Sequence, residues 1–307
     1  MRILQGTKIN FMGTRKIWYS VSGAVIIAGI IGAFIRGISF GVDFLGGTEV
    51  LVRFEIPPAI SEIRDAVQSA GYASSEIKSF GSPNDILIRT PEQSQGTTTL
   101  DVIRQKLTAQ FPNNPFQVLK EDKIGPKIGA ELRTNAVYAI FSAMFIIMIY
   151  IGFRFHFIYG LAGVVALFHD VIATFGVIVL LNGLSPYLNL EIDQNIMAAF
   201  LTIVGFSIND TVVVFDRIRE NLKIHKSEDL TTIMNRSVNE TLSRTIITNG
   251  TVFLVLLVLV IFGGEVNRGF AFTFFIGTIL GTYSSIYVAS ALVLDFSQRQ
   301  AKKKITK

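Results

Sequence analysis

Six apolar segments, each long enough to cross a lipid bilayer, are the feature that most constrains how this chain folds. A helix needs roughly 20 residues to cross a hydrocarbon core of about 30 Å. Half of the 307 residues are hydrophobic and only 17% are charged, which is well below the roughly 25% of an average soluble domain. The predicted spans are residues 17–35, 134–153, 157–181, 195–215, 245–262 and 270–294. The sequence therefore predicts an α-helical polytopic membrane protein with six transmembrane helices.

The distribution of Lys and Arg predicts the orientation of these spans. Residues 1–16 carry four of them, the connection 216–244 carries six, and residues 295–307 carry five. The two loops on the opposite side, 182–194 and 263–269, share a single Arg. By the positive-inside rule, both termini and the 216–244 loop are cytoplasmic.

This orientation gives the net charge of +5 a simple interpretation. The basic residues mark the cytoplasmic side, where anionic lipid head groups are their expected partners. We do not expect a nucleic acid partner. The same orientation places residues 36–133 outside the cytoplasm as a single soluble insertion.

The insertion has the pattern of a small α+β domain. Alternating and helical hydrophobic spacing predicts the order β-α-β-β-α-β, which is that of a ferredoxin-like, split βαβ sandwich. A turn is predicted at residues 81–84. The predicted strands are Thr48–Glu55, Glu76–Phe80, Asp85–Thr90 and Pro115–Lys120, and the predicted helices are Pro58–Ala70 and Thr98–Phe111.

Asp210 is a carboxylate inside the otherwise mostly apolar fourth span. An Asp near the centre of a spanning helix costs roughly 2.5–3.5 kcal/mol on insertion scales, and such residues commonly mark an ion or proton pathway. The alternative is that the helix ends early and Asp210 lies in the cytosol. Against it, Thr211–Phe215 continues the apolar run. We therefore interpret Asp210 as a candidate proton carrier.

Arg244 opens the fifth span at a depth similar to that of Asp210. Burial favours the neutral form of a carboxylate, whereas a nearby guanidinium favours its charged form. A moving Arg244 could therefore control the proton on Asp210. The alternative is that Arg244 only snorkels to the interface. Asn209 adjoins Asp210 and belongs to a polar seam that recurs every seven residues: Asn195, Thr202, Asn209 and Asp216.

His169 and Asp170 form a second ionisable pair near the middle of the third span. A buried His is usually a satisfied core group, but two adjacent ionisable groups at this depth are candidates for relay support. Consecutive helix positions diverge by 100°, so we do not expect both side chains to face one partner. Gly277 and Gly281 form a GxxxG motif that predicts close helix packing.

Catalysis on a substrate is the least supported class of function. The chain has no Cys and only three His, at positions 156, 169 and 225, with no spacing typical of a metal site. We therefore expect neither an enzyme nor a metal or organic cofactor. The predicted energy source is a proton gradient, and Na⁺ remains the less favoured coupling ion.

Five motifs in order along the chain resemble the SecF branch of the SecD/SecF family, which is related to the resistance-nodulation-division transporters. They are Gly41–Val50 (GVDFLGGTEV), Gly125–Leu132 (GPKIGAEL), Leu167–Gly176 (LFHDVIATFG), Ser207–Asn221 (SINDTVVVFDRIREN) and Leu242–Thr251 (LSRTIITNGT). The resemblance covers nearly the whole chain. It implies half of a resistance-nodulation-division core with one ferredoxin-like extracytoplasmic domain.

The resemblance also implies a function and partners. It assigns the proton relay to Asp210 and Arg244, and it implies SecD as a heteromeric partner that supplies a second relay carboxylate. The complex would use the proton-motive force to promote late preprotein translocation through the SecYEG channel of the bacterial cytoplasmic (inner) membrane. Gly46–Gly47 and Gly125–Pro126, at the ends of the outer domain, are either hinges or tight turns.

Two other functions stay open at this stage. The chain could be a subunit of a proton-driven small-molecule or lipid exporter of the same superfamily, although such exporters usually carry two large outer insertions in a longer chain. It could also be a passive scaffold in which Asp210 and Arg244 form a structural ion pair.

Overall fold

The computed structural model describes residues 7–91, 99–155, 157–185 and 188–305, with the backbone alone at 265, 266 and 301–305. His156, considered above, and Arg2, one of the four basic residues of 1–16, lie outside the described residues. The helices are α1 (Arg15–Arg36), α2 (Val42–Leu45), α3 (Ile60–Ser69), α4 (Thr99–Gln110), α5 (Pro126–Arg154), α6 (Phe157–Leu181), α7 (Gln194–Ile224), α8 (Leu230–Phe262), α9 (Gly264–Ser284) and α10 (Ser290–Ile305). The strands are β1 (Gly47–Phe54), β2 (Glu76–Phe80), β3 (Ser82–Thr90) and β4 (Phe116–Ile124).

Within the described residues, six helical segments are long and apolar enough to cross a membrane, which confirms the predicted fold class. Five of them are α1, α5, α6, α7 and α8. The sixth is the run Asn267–Gln300, in which a π-helical turn at Ser285–Ala289 joins α9 to α10. The chain is a multi-pass membrane protein, and the side on which each loop lies stays a prediction.

Three of these helices extend beyond the predicted spans by about two turns or more. α5 begins at Pro126, where a proline at the first helical position costs no hydrogen bond, so its first two turns fall in the stretch predicted as domain. The predicted 216–244 connection is mostly helix, because α7 continues to Ile224 and α8 starts at Leu230. Asp229 caps α8 by accepting a hydrogen bond from the Thr232 amide at 3.0 Å.

The small domain is a four-stranded antiparallel sheet in the order β2-β3-β1-β4, with α3 and α4 over one face. Order and connectivity match the predicted ferredoxin-like fold. Alternate residues of β1 and β3, among them Val50, Val52 and Ile88, are fully buried beneath the two helices. The predicted 81–84 turn is shorter than expected, because β3 already begins at Ser82 and the bend is made by Gly81 with φ 76°.

The beginning of the domain is tied to the beginning of α7. The Gly41 amide donates to the Ile192 carbonyl at 3.0 Å, and the Ile192 amide donates to the Ser39 carbonyl at 2.8 Å. The amide of Gln194, the first residue of α7, donates to Asp43 Oδ2 at 2.9 Å. Domain entry and α7, the helix that carries Asp210, therefore form one connected unit.

The two ends of the domain meet at Gly46. Gly46 has φ 78°, and a Cβ atom there would lie 2.6 Å from the Cα of Pro126. A side chain is excluded by both the backbone conformation and this contact. The arrangement is the one that the tight-turn interpretation requires, and hinge movement here stays a prediction.

Candidate functional site

Asp210 lies where α7, α8 and α9 meet. Its side chain is only 4% exposed, and Oδ2 accepts a hydrogen bond from Asn249 Nδ2 on α8. Asn249 Nδ2 also contacts Thr282 Oγ1 on α9 at 2.6 Å. A helix in hydrocarbon cannot leave a carboxylate unsolvated without cost. In the bundle, Asp210 is buried beside Asn249 from one neighbouring span, and Asn249 in turn contacts Thr282 from another.

Asn249 has an additional property that matters for proton chemistry. Its Oδ1 atom is buried and has no hydrogen-bond partner among the described residues. A primary amide carries both donors and an acceptor, and which end points where is inferred from the hydrogen-bond network. The group beside Asp210 can therefore serve either as donor to a carboxylate or as acceptor from a carboxylic acid.

Arg244 is not the hydrogen-bond partner of Asp210 in this structure. Its side chain is exposed, on the same helix as Asn249 but five residues earlier. Thr251, farther along the same helix, is exposed and donates to the Thr248 carbonyl at 2.7 Å. In this structure Asp210 is therefore buried while the Arg244 side chain is exposed, and the relay role of this pair stays a prediction.

Asn209 and the rest of the predicted seam face away from the bundle. All four positions, Asn195, Thr202, Asn209 and Asp216, are exposed, whereas the adjacent Asp210 is buried. Thr202 satisfies its hydroxyl by donating to the Ala198 carbonyl at 2.8 Å. A polar strip on the outside of a spanning helix needs cover from water or protein, because lipid offers no hydrogen bonds.

His169 and Asp170 are the centre of a buried network that joins four spans. Asp170 is fully buried, and its Oδ2 accepts from Ser207 on α7 at 2.5 Å and from Ser284 on α9 at 2.8 Å. His169 bonds Asp170 Oδ1 through Nδ1 at 2.9 Å and Ser22 on α1 through Nε2 at 2.9 Å. The two side chains reach different helices, as their 100° separation predicts, but the imidazole also turns back to its neighbour.

The network continues to Tyr283 and borders the π-helical turn. The Tyr283 hydroxyl contacts Ser22 Oγ and donates to the Trp18 carbonyl at 2.8 Å. The π-helical turn begins at Ser285, directly after Ser284, and Ser290 Oγ donates to the Ser285 carbonyl at 2.7 Å. Such single π-helical turns occur frequently at functional sites.

Gly277 and Gly281 hold α9 tightly against α7. A Cβ atom at Gly277 would lie 2.2 Å from Ile203 Cδ1, and one at Gly281 would lie 3.1 Å from Ser207 Cβ. The motif therefore serves close packing, as its spacing predicts. It also keeps Ser207 and Ser284 close enough to share the Asp170 carboxylate.

Comparison with known proteins decides the family. A model described as protein export membrane protein SecD/SecF, C-terminal, matches residues 103–299, and a SecD/SecF GG motif model matches residues 31–55. The chain belongs to the SecD/SecF family. This confirms the resemblance predicted from the motifs.

Curated SecD/SecF relatives match over nearly their full length. The protein translocase subunit SecF of Rhodothermus marinus is 42% identical over 304 residues, with 99% of this chain and 98% of the relative covered. SecF of Escherichia coli O157:H7 is 39% identical, with 96% and 90% covered. The crystal structure of SecDF, a translocon-associated membrane protein from Thermus thermophilus, matches with a TM-score of 0.84 at 36% identity, over 96% of this chain but 40% of that chain. The chain thus spans less than half of the SecDF chain.

A second polar cluster in this SecD/SecF family member was not predicted from the sequence. Arg89 on β3 contacts Glu191, in the loop before α7, at 2.5 Å and Glu49 on β1 at 2.7 Å, and Lys78 also contacts Glu191. Burial raises the pKa of Glu191, but Arg89 and Lys78 outweigh burial and hold that pKa below its usual value. Charges on strands and loop therefore fasten the outer domain to the helix bundle.

The structure also adds residues that the sequence analysis passed over: Asn249, Thr282, Ser22, Ser207, Ser284 and Tyr283. One signal was available. Polar side chains inside apolar spans must find partners in the protein. The run Thr282–Ser285, three hydroxyl residues and a tyrosine in the sixth span, was therefore a candidate partner for Asp170 or Asp210.

Proposed function

We propose that this chain is the SecF-type subunit of a Sec protein translocase and acts as a proton-driven accessory to export across the bacterial cytoplasmic membrane. The observation that carries the proposal is the buried Asp210, held by Asn249 at the junction of three spans. The relatives are named protein translocase subunits, which supports a role in protein export. No covalent chemistry on a substrate is part of the proposal.

Asp210 and Asn249 can accommodate both states of the acid. When Asp210 is charged, the Asn249 amide donates to it, as in the present geometry. When Asp210 takes up a proton, the acid can donate to Asn249 Oδ1, which is unpartnered among the described residues, after a flip of the amide. After the flip, Thr282 Oγ1 faces the Asn249 carbonyl oxygen in place of its amide nitrogen. Protonation of Asp210 therefore also alters the contact between Asn249 and α9.

Arg244 enters the cycle through movement or through the partner. Its exposed side chain and the exposed Asn209 lie on the surface that we propose a SecD subunit covers. That subunit would contribute the second relay carboxylate, as the family resemblance implies. Movement of Arg244 toward Asp210 would favour release of the proton, because a guanidinium stabilises the carboxylate.

His169 and Asp170 are proposed as support for the relay. Their network shares α7 and α9 with the Asp210 site, through Ser207 and Ser284. A change in the contact between α7 and α9 at Asp210 would therefore alter the hydrogen bonds that Ser207 and Ser284 donate to Asp170. A rigid-body change of this kind can be amplified by the outer domain, which is joined to the start of α7.

The proposed setting follows from the charge distribution and the family. We propose cytoplasmic termini, an extracytoplasmic ferredoxin-like domain at residues 36–133, and SecYEG with its translocating preprotein as the further partners. The domain would hold the preprotein and prevent backsliding while protons flow. The preferred coupling ion is H⁺, and Na⁺ is the alternative because carboxylate, Asn and Thr oxygens also suit that ion.

The test is late-stage export in inverted membrane vesicles that contain this chain, SecD and the channel. Translocation of a preprotein is started with ATP, arrested part-way by removing ATP, and continued by imposing a proton gradient. We expect Asp210→Asn to insert and to co-purify with SecD yet to lose the gradient-dependent step at least tenfold. Glu220→Gln, an exposed acid in the same helix but outside the polar seam, is the control and should export normally.

Three other outcomes are informative. Normal export by Asp210→Asn would contradict the relay and support a passive scaffold. Export driven by a sodium gradient and not by a proton gradient would identify Na⁺ as the coupling ion. Gradient-dependent release of a lipid or drug without any preprotein effect would support the exporter alternative.

A further inference from the structure

An apolar cavity of about 330 Å³ opens among α5, α6, α7 and the segment between α1 and β1, at the end of the bundle that carries the domain. Its volume lies at the lower end of the roughly 300–1,000 Å³ typical of ligand sites. Of the described residues that line it, Arg133 is charged and all the others are apolar. The cavity is separate from the Asp210 and Asp170 sites.

The cavity extends over the depth of one lipid leaflet. Arg133 and Met144 both line it on α5. They are eleven residues apart, which is roughly 16 Å along a helix at 1.5 Å per residue. That is about half of a hydrocarbon core of about 30 Å. Arg133 lies at the end nearest the domain, and Met144 lies near mid-membrane.

The mouth of the cavity faces the surface that a membrane helix presents to lipid. Val137 and Phe141 on α5 and Ile172 on α6 all line it, and they are 44%, 54% and 40% exposed. The floor is made by Met144 and Phe200, each 2% exposed. A groove with apolar walls and an apolar floor at this depth excludes water and suits a hydrocarbon chain.

Arg133 supplies a charged end to this groove. Its guanidinium carbon lies 5.6 Å from the centroid of the Phe40 ring, a cation–π geometry that orients the group and leaves its N–H donors available. Guanidinium groups bind phosphate oxygens in a two-pronged geometry. None of the described residues that line the cavity is acidic. Cation and groove are thus complementary to a phosphate head group and an acyl chain.

We propose that this cavity binds one phospholipid of the adjacent leaflet, with its phosphate on Arg133 and one acyl chain along Phe141 and Ile172 toward Met144. The bound chain would fill the space between α5 and the α6–α7 pair. This site is independent of proton transfer at Asp210.

The test uses photoreactive phospholipids in the full chain with its co-expressed SecD partner. The complex is reconstituted with phosphatidylglycerol or phosphatidylethanolamine that carries a diazirine at the acyl terminus, and labelled residues are mapped by mass spectrometry. We expect labelling at the cavity floor, Met144 and Phe200, above that at the exposed α5 residues Phe145 and Ile149, which lie outside the cavity lining.

Variants at two positions of α5 identify the role of the charge. Arg133→Gln should lower floor labelling by the phospholipid about three- to fivefold, as expected for loss of one solvent-accessible ion pair. Lys127→Gln, which removes the same charge from the first turn of α5 outside the cavity, should leave it unchanged. A diazirine diacylglycerol, which lacks phosphate, should label both variants and the wild type equally.

Three results would overturn the proposal. The first is floor labelling no higher than that of Phe145. The second is equal phospholipid labelling in Arg133→Gln and wild type. The third is protection of the floor by an arrested preprotein that cross-links there, which would make the cavity a site for an apolar polypeptide segment. Because none of these readouts uses export activity, their failure would not bear on the role proposed for Asp210.

Discussion

In the proposed relay, Asn249 is the group that stabilises the charged form of Asp210. Asn249 is 5% exposed, and its side chain donates a hydrogen bond to the Asp210 carboxylate. A buried carboxylate that loses its donor keeps the full cost of desolvation. The neutral acid is then strongly favoured, and a carrier that cannot release its proton cannot cycle.

We therefore expect Asn249→Leu, which is close in volume, to insert normally but to lose gradient-dependent export at least tenfold. The measurement is the ATP-free phase of translocation in inverted vesicles. Thr251→Ala on the same helix is the control, because that side chain is exposed and bonds only its own helix backbone. Full export by Asn249→Leu would show that Asp210 is served by another group.

Asp193 gives the chain a pH dependence of its own. Burial raises the pKa of Asp193 to about 6, and the nearby Asp43 and Glu49 add to the rise. The folded state therefore binds this proton more tightly than the unfolded chain does, whose pKa is near the ordinary value of 3.8. The stabilising contribution is complete below about pH 4 and is lost as the pH rises through about 6.

Asp193→Asn should remove this dependence. Asn also caps helices well, so the bond from the Ile196 amide is replaced. We expect the variant to unfold a few degrees higher than wild type at pH 7.5 and at the same temperature near pH 4. Thermal unfolding in detergent across that range is the measurement.

Asp229→Asn, at the cap of α8, is the matched control. Hydrogen bonds from Thr232 lower the pKa of Asp229, so its contribution to stability has the opposite pH dependence. A parallel pH profile for wild type and Asp193→Asn would refute the assignment.

At the scale of elements, the outer sheet is fastened to the loop before α7 by charge. Arg89 is 8% exposed and Glu191 is 7% exposed. Removing one partner of a buried pair commonly costs 3–5 kcal/mol, because the remaining charge is left without compensation. Arg89 keeps Glu49 and Glu76 as partners, so we expect a smaller loss.

Glu191→Gln should therefore loosen this attachment by about 1–3 kcal/mol without unfolding the spans. Hydrogen exchange should accelerate in β3 and in the loop around Glu191, and exchange in α6 should not change. Glu55→Gln, an exposed carboxylate of the same domain, is the control. Because the pKa of Glu191 is held low, wild type should approach the behaviour of the variant only as the pH falls below about 4.5. Unchanged exchange would mean that backbone bonds alone hold the domain.

Element boundaries show what the sequence could and could not predict. The six spans and the β-α-β-β-α-β order follow from local hydrophobic period, and these predictions are confirmed. The 81–84 turn was overestimated, because Pro83 and Asn84 disfavour strands yet lie in β3 here. Arg89 and Glu191 are 102 residues apart, and no local pattern links such a pair. The partner of Asp210 was missed for the same reason: Arg244 was the obvious charge, whereas packing presents the neutral Asn249.

For the whole molecule, the exposed seam on α7 implies that this chain works as part of a larger assembly. The seam is formed by Asn195, Thr202, Asn209 and Asp216, and its two members inside the span, Thr202 and Asn209, would otherwise face lipid. The SecDF structure, of which this chain matches 40%, is consistent with a second set of spans beside it. We expect that a SecD subunit covers this seam.

A photoreactive phenylalanine analogue tests this expectation. Placed at Asn209, it should cross-link to co-expressed SecD in membranes, and placed at Ile27, which is 59% exposed on α1, it should cross-link mainly to lipid. The yield at Asn209 should exceed that at Ile27 about tenfold. Equal yields would place the partner elsewhere. Because the chain has no Cys, an independent disulfide test with one added Cys in each subunit has no background from this chain.

The backbones of α1 and α6 approach each other closely at two glycines. A Cβ atom at Gly29 would lie 2.3 Å from the Cα of Gly176, so the two backbones touch with no side chain between them. Ser22 and His169, two turns farther along the same helices, meet at 2.9 Å. One methyl group at Gly29 would act as a wedge and draw the hydroxyl away from the imidazole. The absence of a side chain at Gly29 therefore allows Ser22 on the first helix to keep its hydrogen bond with the buried His169.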